Sequence, residues 1–455
     1  MTLPIDPLDT RDAGPRSSGA MAWFAVVILC AAQIVSTIDR GILALVVDPV
    51  RADLGISDLQ IALLQGFAFS VFYVTVGLPL GVAADMTNRR RLLVCGIIVW
   101  SFATIGGGLA QNFGQMFVSR LLVGVGEAVL GPCAVTIISD LFPPAGRGRP
   151  MAIYVFGSMI AYGIGALVSG LILQVAPRGA FSDIPLLATL APWRIAFVLV
   201  GGFGFAIAGL LLLLREPPRS GDGGNATDKI RFRENLHFLV HHKGIFLPLY
   251  GALAAFAAGN SIATGWGAVL LSRSFGFTIG AAGKSIGSSL VLWAVAGALV
   301  ASVLVDRVAR RGGSAGKVKL AALLALLAIP STLAVLAPDG SGAVILLGEI
   351  MFASAIYGTT MLSVVAEITP PRMRGLSIAL YAFVMTMIGA SIGPIAVATM
   401  TERVFRDANA VGWSMAIVGI ATLCLSALLA LAAARRLRAV RDHGGTMATL
   451  FTTVA

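Results

Sequence analysis

The duplication of this chain is visible first in Gly81-Val-Ala-Ala-Asp85-Met-Thr-Asn-Arg89-Arg90-Arg91, which follows the second long apolar segment. The eighth such segment ends in a related stretch, Ser302-Val-Leu-Val-Asp306-Arg307-Val-Ala-Arg310-Arg311. A second motif also occurs twice, as Asp140-Leu-Phe-Pro143-Pro144-Ala-Gly-Arg147-Gly148 and as Glu367-Ile-Thr-Pro370-Pro371-Arg-Met-Arg374-Gly375. The offset is 227 residues both from 140 to 367 and from 147 to 374. Charged loops that recur at matched places indicate two halves with the same orientation in the membrane.

Composition predicts an integral membrane protein. The 455 residues are 57% hydrophobic and 12% charged, whereas soluble domains are roughly 25% charged. Segments of about 20 apolar residues are long enough to cross a bilayer as helices, and they are too long and too uniformly apolar for barrel strands. Twelve such spans are predicted, at residues 22–47, 59–84, 92–111, 113–139, 150–175, 193–214, 245–271, 280–306, 318–336, 342–366, 375–400 and 411–435.

The predicted fold is an all-α membrane protein with twelve transmembrane helices in two pseudo-symmetric six-helix bundles. The predicted parts are a disordered cytoplasmic tail (1–20), the N-terminal bundle (21–214), a cytoplasmic amphipathic linker (215–244), the C-terminal bundle (245–435) and a second cytoplasmic tail (436–455).

The net charge of +11 arises mainly from basic residues on one side of the predicted membrane. Of the 33 lysines and arginines, 24 fall in the tails, the linker and the loops on the side of the termini, and seven fall on the opposite side. By the positive-inside rule both termini are cytoplasmic. We therefore expect a multi-pass protein of the plasma (inner) membrane that contacts membrane lipids and binds no nucleic acid.

The loop motifs resemble a known family. The Gly81 to Arg90 element, repeated at Asp306 to Arg311, is similar to the cytoplasmic loop signature of the major facilitator superfamily, although Asn88 and Ala309 stand where that family often has glycine. Within it, Ile38-Asp39-Arg40 and Arg120-Leu-Leu-Val-Gly-Val-Gly-Glu127-Ala resemble the spinster family. Its animal members transport lysosphingolipids and lysophospholipids. Anion:cation symporters of the superfamily carry a similar pattern.

Four ionisable side chains, Asp39, Arg40, Arg120 and Glu127, lie inside predicted spans of the N-terminal half. A charge at the centre of a span costs about 2.5 to 3.5 kcal/mol on insertion scales, so such residues usually mark an ion or substrate path. With 1.5 Å of rise per residue, Asp39 and Arg120 are each about 10 to 12 Å from the outer end of their span, and Glu127 is about 21 Å deep. We predict that Asp39 pairs with Arg120. Glu127 should lie lower on the same face of the helix as Arg120.

The roles expected for these charges are proton coupling by Asp39, Glu127 and Arg120, and substrate binding by Arg40, Arg120 and Glu127. A carboxylate that is buried and close to an arginine changes its protonation with its surroundings, and a guanidinium binds phosphate or carboxylate well. The alternative is a static buried network that orients spans one and four. Arg40 points about 100° away from Asp39 around the helix, so it faces either another partner or the outer vestibule.

Polar candidates are fewer in the C-terminal half. Trp266, Tyr357 and Thr360 are the residues expected to contact substrate, and packing or interfacial anchoring is the alternative reading for the aromatic ones. A charged N-terminal half facing a mostly apolar C-terminal half suits an amphipathic substrate.

The charged loop residues are predicted to form gates. The family resemblance implies that the loop carboxylate contacts a helix N-terminus of the opposite half, where the helix dipole favours it; a solvated loop that only sets topology is the alternative. The gating candidates are Asp85, Arg89, Asp140, Arg147, Asp306, Arg310, Glu367 and Arg374.

The function predicted is proton-coupled secondary transport of an amphipathic substrate, similar to a lysophospholipid or sphingolipid, by alternating access. An organic-anion:proton symporter and a polyspecific drug:proton antiporter are the alternatives. No nucleophile-and-base arrangement supports an enzyme, and neither the cysteines nor the histidines have a metal-site spacing. We expect no cofactor and no metal, and we expect a monomer.

Overall fold

A computed structural model describes residues 19–143, 146–217, 238–370 and 374–442. The predicted tails and the predicted linker lie largely outside these residues.

The N-terminal half contains six spanning helices. Helix α2 includes a π-helical stretch at Leu63–Phe67, and α4 is interrupted between Glu127 and Leu130, two residues before Pro132. A short helix, Val47–Leu54, joins α1 to α2. The six helices are α1 (Gly19–Leu45), α2 (Asp58–Ala62, Leu63–Phe67 and Ala68–Met86), α3 (Arg89–Gly108), α4 (Phe113–Glu127 and Leu130–Leu141), α5 (Gly148–Val175) and α6 (Pro192–Leu212).

The C-terminal half repeats this order. One continuous helical stretch, Ile279–Leu327, turns at Gly313, whose φ of 57° is unfavourable for other residues, so the stretch contains two spans. Helix α11 has π-helical stretches at Val384–Gly389 and Met400–Phe405. The six helices are α7 (Lys243–Phe275), α8 (279–312), α9 (314–327, followed by Ile329–Thr332), α10 (Gly340–Ile368), α11 (Arg374–Phe383, Val384–Gly389, Ala390–Thr399 and Met400–Phe405) and α12 (Val411–Asp442).

The prediction of an all-α membrane protein is confirmed. Within the described residues, eleven helical stretches are long and apolar enough to span a bilayer. The longest of them, Ile279–Thr332, turns at Gly313 and therefore contains two spans. Many large apolar side chains on these helices, such as Leu292, Leu299 and Leu428, are exposed, as helices that face lipid require. The protein is a multi-pass integral membrane protein.

The two halves meet at the ends of the helices that lie opposite the termini, which we call the outer face. On one side α5 packs against α8 with backbones in contact: a Cβ on Gly163 would lie 2.7 Å from the Gly287 carbonyl oxygen, and one on Gly283 would lie 2.8 Å from the Gly170 Cα. On the other side a Cβ on Gly66 of α2 would lie 2.7 Å from the Ala390 carbonyl oxygen of α11. Small residues permit this close approach.

Candidate functional site

The centre of the N-terminal half contains the predicted ion pair. Arg120 Nη1 of α4 lies 3.1 Å from Asp39 Oδ1 of α1, and the side chains are only 3% and 1% exposed. The other carboxylate oxygen of Asp39 accepts a hydrogen bond from the Thr104 hydroxyl of α3, and the Arg120 guanidinium lies 5.1 Å from the centre of the Phe197 ring. Asp39 therefore ties three helices of one bundle together.

The next residue of α1, Arg40, forms a second ion pair. Arg40 Nε is 3.1 Å from Glu127 Oε2, which also accepts a 2.7 Å hydrogen bond from the Ser36 hydroxyl. The Arg40 side chain runs back along its own helix, and its Nη2 donates to Ser36 Oγ at 3.2 Å. Of the two alternatives for Arg40, the structure gives it another partner, and that partner is Glu127. We call Asp39, Arg40, Arg120 and Glu127 the central ion network.

Glycines of α3 and α4 make room for this network. A Cβ on Gly124 would lie 2.4 Å from the Phe69 carbonyl oxygen of α2, and one on Gly126 would lie 2.6 Å from the Gly96 carbonyl oxygen of α3. On α3, a Cβ on Gly107 would lie 3.3 Å from Arg120 Nη2. The small residues between Arg120 and Glu127 thus let α4 approach both neighbours while its charged face meets α1.

The two arginines of the network differ in their access to solvent. Arg120 is buried, and its Nε and Nη2 find no hydrogen-bond acceptor among the described residues. The Arg40 side chain is 24% exposed and lies 5.5 Å from the centre of the Phe69 ring, with Tyr73 and Tyr162 within electrostatic range. A partly exposed guanidinium among aromatic rings can bind an anionic group directly.

The three substrate candidates of the C-terminal half are fully buried in helix packing. The Tyr357 ring stacks on Phe256 with centroids 3.7 Å apart, and Trp266 Nε1 donates to the Pro394 carbonyl oxygen at 3.3 Å. The Thr360 hydroxyl bonds to the Ile356 carbonyl oxygen of its own helix. In this conformation none of the three presents a surface to a substrate.

The gating candidates of the N-terminal half contact one another. Buried Arg89 pairs with Asp140 at the end of α4 and, at 2.9 Å, with Glu216 after α6. Glu216 also accepts hydrogen bonds from the first backbone N–H groups of α3, at 3.3 and 2.8 Å. Arg147 donates to the nearby Phe142 carbonyl oxygen. Arg89 thus joins α3 to α4 and to the segment after α6 within one half, and Glu216 is a partner that the sequence did not point to.

The C-terminal half has an equivalent ion pair, in which a lysine takes the place of the arginine. Glu367 at the end of α10 pairs with Lys317 near the start of α9, and it accepts a 2.8 Å hydrogen bond from the Ser314 hydroxyl. The sequence repeat matched Arg310 to Arg89, but Asp306 and Arg310 are exposed, and Lys317 stands where Arg89 stands in the first half. The side chains of Asp85 and Arg374 lie outside the described residues, so their gating roles stay predictions.

The sequence reading also missed an ion cluster at the outer face. Arg273, near the end of α7, pairs with Asp48 at 2.6 Å and with Asp58 at 3.0 Å, so it joins the two halves. Arg51 pairs with the same Asp58 at 3.2 Å. These four residues are the outer ion cluster. All four lie in predicted loops, where charge is ordinary, so only their mutual distances single them out.

The carboxylates and guanidiniums at the centre of the molecule can exchange partners with one another. The central ion network holds two carboxylates and two guanidiniums in helices that cross the membrane, which suits protonation and anion binding. Among the described residues, no three histidine, cysteine or acidic side chains lie close enough together to hold a metal ion.

Comparisons with known proteins agree with this architecture. The sequence model of the Major Facilitator Superfamily matches residues 29–394. An MFS-type efflux pump of Mycolicibacterium smegmatis is 26% identical over 412 residues, which are 90% of this chain and 91% of the pump. Protein spinster of Drosophila melanogaster is 29% identical over 245 residues, 53% of this chain and 38% of that protein.

One similar structure is the crystal structure of a bacterial homolog of the human lysosomal transporter spinster, in an inward-facing and unoccupied conformation. The TM-score is 0.77 at 24% identity, over 92% of this chain and 98% of that one. At this identity the similarity concerns the fold.

Proposed function

We propose that this chain, which belongs to the Major Facilitator Superfamily and is a transporter, carries an amphipathic anion similar to a lysophospholipid and couples its movement to protons. Both termini are cytoplasmic in this proposal, and the membrane is the plasma (inner) membrane. The lipid class follows from the resemblance of the span-one and span-four motifs to the spinster family. The chain spans only 38% of the length of the Drosophila spinster protein.

The observation that carries the proposal is the different exposure of the two central arginines. Arg40 has about a quarter of its side chain exposed and aromatic neighbours, whereas Arg120 is buried against Asp39. We assign headgroup binding to Arg40 and proton coupling to the pair of Asp39 and Arg120. A phosphate headgroup would compete with Glu127 for Arg40, because both are anions that suit a guanidinium fork.

Glu127 connects the two functions. Its Oε1 atom and two N–H groups of Arg120 are buried without a hydrogen-bond partner among the described residues. When substrate occupies Arg40, Glu127 loses a counter-charge in a low-dielectric site, and it must then take a proton or approach Arg120. Substrate binding and protonation are thereby linked through one carboxylate.

The scarcity of charge in the C-terminal half supports an apolar tail. Its described spanning helices contain only Glu349 at a depth comparable to that of the central ion network. A hydrocarbon chain needs such an apolar surface, whereas a small sugar acid would need polar groups on both sides.

The test is transport by the purified protein in proteoliposomes with an imposed pH gradient. Fluorescent lysophosphatidic acid is the lipid probe, and the fraction that serum albumin can extract from the outer leaflet reports its movement. Radiolabelled gluconate and ethidium represent the sugar-acid and drug alternatives. We expect gradient-dependent movement of the lysolipid, and transport of gluconate or ethidium without it would overturn the proposal.

Arg40→Ala tests the assigned headgroup contact. Loss of a hydrogen bond to a charged group costs about 1.5 to 3 kcal/mol, so KM for the lysolipid should rise roughly ten- to hundredfold. Arg40→Lys should recover part of this loss. Arg178→Ala, which removes an exposed arginine at the outer face, is the control and should leave KM unchanged. An unchanged KM in Arg40→Ala would remove Arg40 from the substrate site.

The similarity to the mycobacterial efflux pump over 90% of this chain favours a second candidate, export of diverse amphipathic drugs by proton antiport. Competition distinguishes the two: structurally unrelated cationic dyes should inhibit a polyspecific exporter and leave lysolipid movement unaffected in the proposed carrier.

A further inference from the structure

The Arg273 side chain uses all of its hydrogen-bonding capacity at the boundary between the halves. Its Nε and Nη2 donate to Asp48 at 3.1 and 2.6 Å, and its Nη1 and Nη2 donate to Asp58 at 3.0 Å each. Nη1 also donates to the Ala408 carbonyl oxygen at 2.9 Å, on its own half. An arginine has five N–H donors, so each has an acceptor, and four of the five bonds join the C-terminal half to the N-terminal half.

A second contact joins the two halves at the same place. Glu402 of α11 accepts a 3.1 Å hydrogen bond from the backbone N–H of Leu59, in the first turn of α2. A carboxylate is stabilised there by the unpaired N–H groups and the dipole of the helix. The N-terminus of α2 is thus held between α7 and α11, with Arg273 on one side and Glu402 on the other.

The carboxylate of Asp58 is shared between the halves. Arg51 belongs to the short helix that precedes α2, and its Nη1 lies 3.2 Å from Asp58 Oδ1. Only the short connection between that helix and α2 separates the two residues, so they stay together whether or not the halves separate. Arg273 has no such partner in its own half among its described contacts, apart from the Ala408 carbonyl.

We propose that the outer ion cluster acts as a latch. Asp58 binds two arginines while the outer face is closed and keeps only one of them when the face opens. With the face closed, Asp58 binds Arg51 and Arg273; with the face open, Arg51 alone compensates its charge, and Arg273 is released to water. The two arginines on one carboxylate therefore act in opposite directions. Arg273 stabilises the closed face, and Arg51 stabilises the open one.

Two other charged groups of the outer face have partners outside the cluster. Asp53 pairs with Arg194 at 2.9 Å inside the N-terminal half, and Glu402 binds the Leu59 N–H. The pair of Asp53 and Arg194 joins two parts of the same half at the same face, so it should be indifferent to opening. It offers a matched control for the latch.

The experiment measures the distance between the outer ends of the halves in the full-length protein in lipid nanodiscs. The four native cysteines are replaced, and spin labels are placed at Ala180→Cys and Pro338→Cys, two exposed outer-loop positions on opposite halves. Distance distributions from double electron–electron resonance give the ratio of open to closed molecules. The measurement needs neither substrate nor a pH gradient, so its result does not depend on whether the proposed function is correct.

Removal of the buried Arg273 should change the ratio by about tenfold or more. The Arg51 side chain is 38% exposed, so its removal should cause a smaller change. Arg273→Gln should raise the open fraction, Arg51→Gln should lower it, and Arg273→Lys should lie between Arg273→Gln and the unaltered chain. Asp53→Asn should change nothing. A shift of both arginine variants in the same direction, or no shift in either, overturns the proposal. Size-exclusion profiles identify misfolded variants, and Arg273→Lys then supplies the comparison in place of Arg273→Gln.

Discussion

Removal of Asp39 alone should destabilise the protein more than removal of Asp39 together with Arg120. The two charged atoms lie 3.1 Å apart with almost no exposure to water. At an effective dielectric constant of about 20, charges at this separation attract by about 5 kcal/mol. Measured losses on breaking one side of a buried pair are about 3 to 5 kcal/mol, because the other charge stays buried and unpaired.

We therefore expect Asp39→Ala to lower the free energy of unfolding by about 3 to 5 kcal/mol, with the lost Thr104 hydrogen bond as part of the effect. The double variant Asp39→Ala/Arg120→Met leaves no unpaired charge and should lose less stability than Asp39→Ala alone, and therefore well under the sum of the single variants. The assay is unfolding in mixed micelles with increasing dodecyl sulfate, analysed as a double-mutant cycle. Additive losses would refute the reasoning, since they would mean that the pair contributes no coupling energy.

The same variants separate a structural pair from a proton-coupling pair. If the pair only orients α1 and α4, the double variant should recover transport together with stability. If it couples protons, stability should recover while gradient-driven transport stays lost. Recovery of both properties in the double variant would restore the static-network alternative.

Three further predictions each concern one substitution. Glu127→Gln should abolish the dependence of transport on the pH gradient while exchange of labelled substrate at equal pH persists; coupled transport that survives in this variant would contradict the role given to Glu127. Gly126→Ala should cost about 1 to 3 kcal/mol of stability, because its Cβ would lie 2.6 Å from a backbone oxygen of α3, whereas nothing lies within 4 Å of a Cβ at Gly131, so Gly131→Ala is the control in the same micelle assay. Lys317→Gln should lower the melting temperature by separating α9 from Glu367, and a melting temperature equal to that of the unaltered chain would show that this pair contributes little.

The fold could be predicted because hydropathy and loop charge are properties of short segments. Span length follows from bilayer thickness, and the repeated loops at 140 and 367 require two halves of the same orientation. The pair of Asp39 and Arg120 could be predicted for a related reason. Residue count fixes depth in a membrane helix, so two charges at one depth are strong candidates for partners.

Partners that depend on side-chain direction could not be predicted. Arg40 reaches Glu127 by running back along α1 past Ser36, and a long flexible side chain has several such paths open to it. Lys317, which follows the turn at Gly313, pairs with Glu367 as Arg89 pairs with Asp140, whereas the alignment of loop motifs matched Arg310 to Arg89. Tyr357 and Trp266 are polar enough to contact a substrate, but the packing of α7, α10, α11 and α12 buries them.

The sequence by itself determined the number of spans, the duplication, the likeness to a transporter superfamily and the concentration of membrane charge in the first half, since each follows from composition or spacing. Only the tertiary structure decided which arginine is buried and which is accessible, and only it brought Arg273 between Asp48 and Asp58. The physical reason is that these pairings join residues up to 225 positions apart on helices of opposite halves. Packing sets how these helices are rotated and where they touch, and no local pattern in the sequence indicates either.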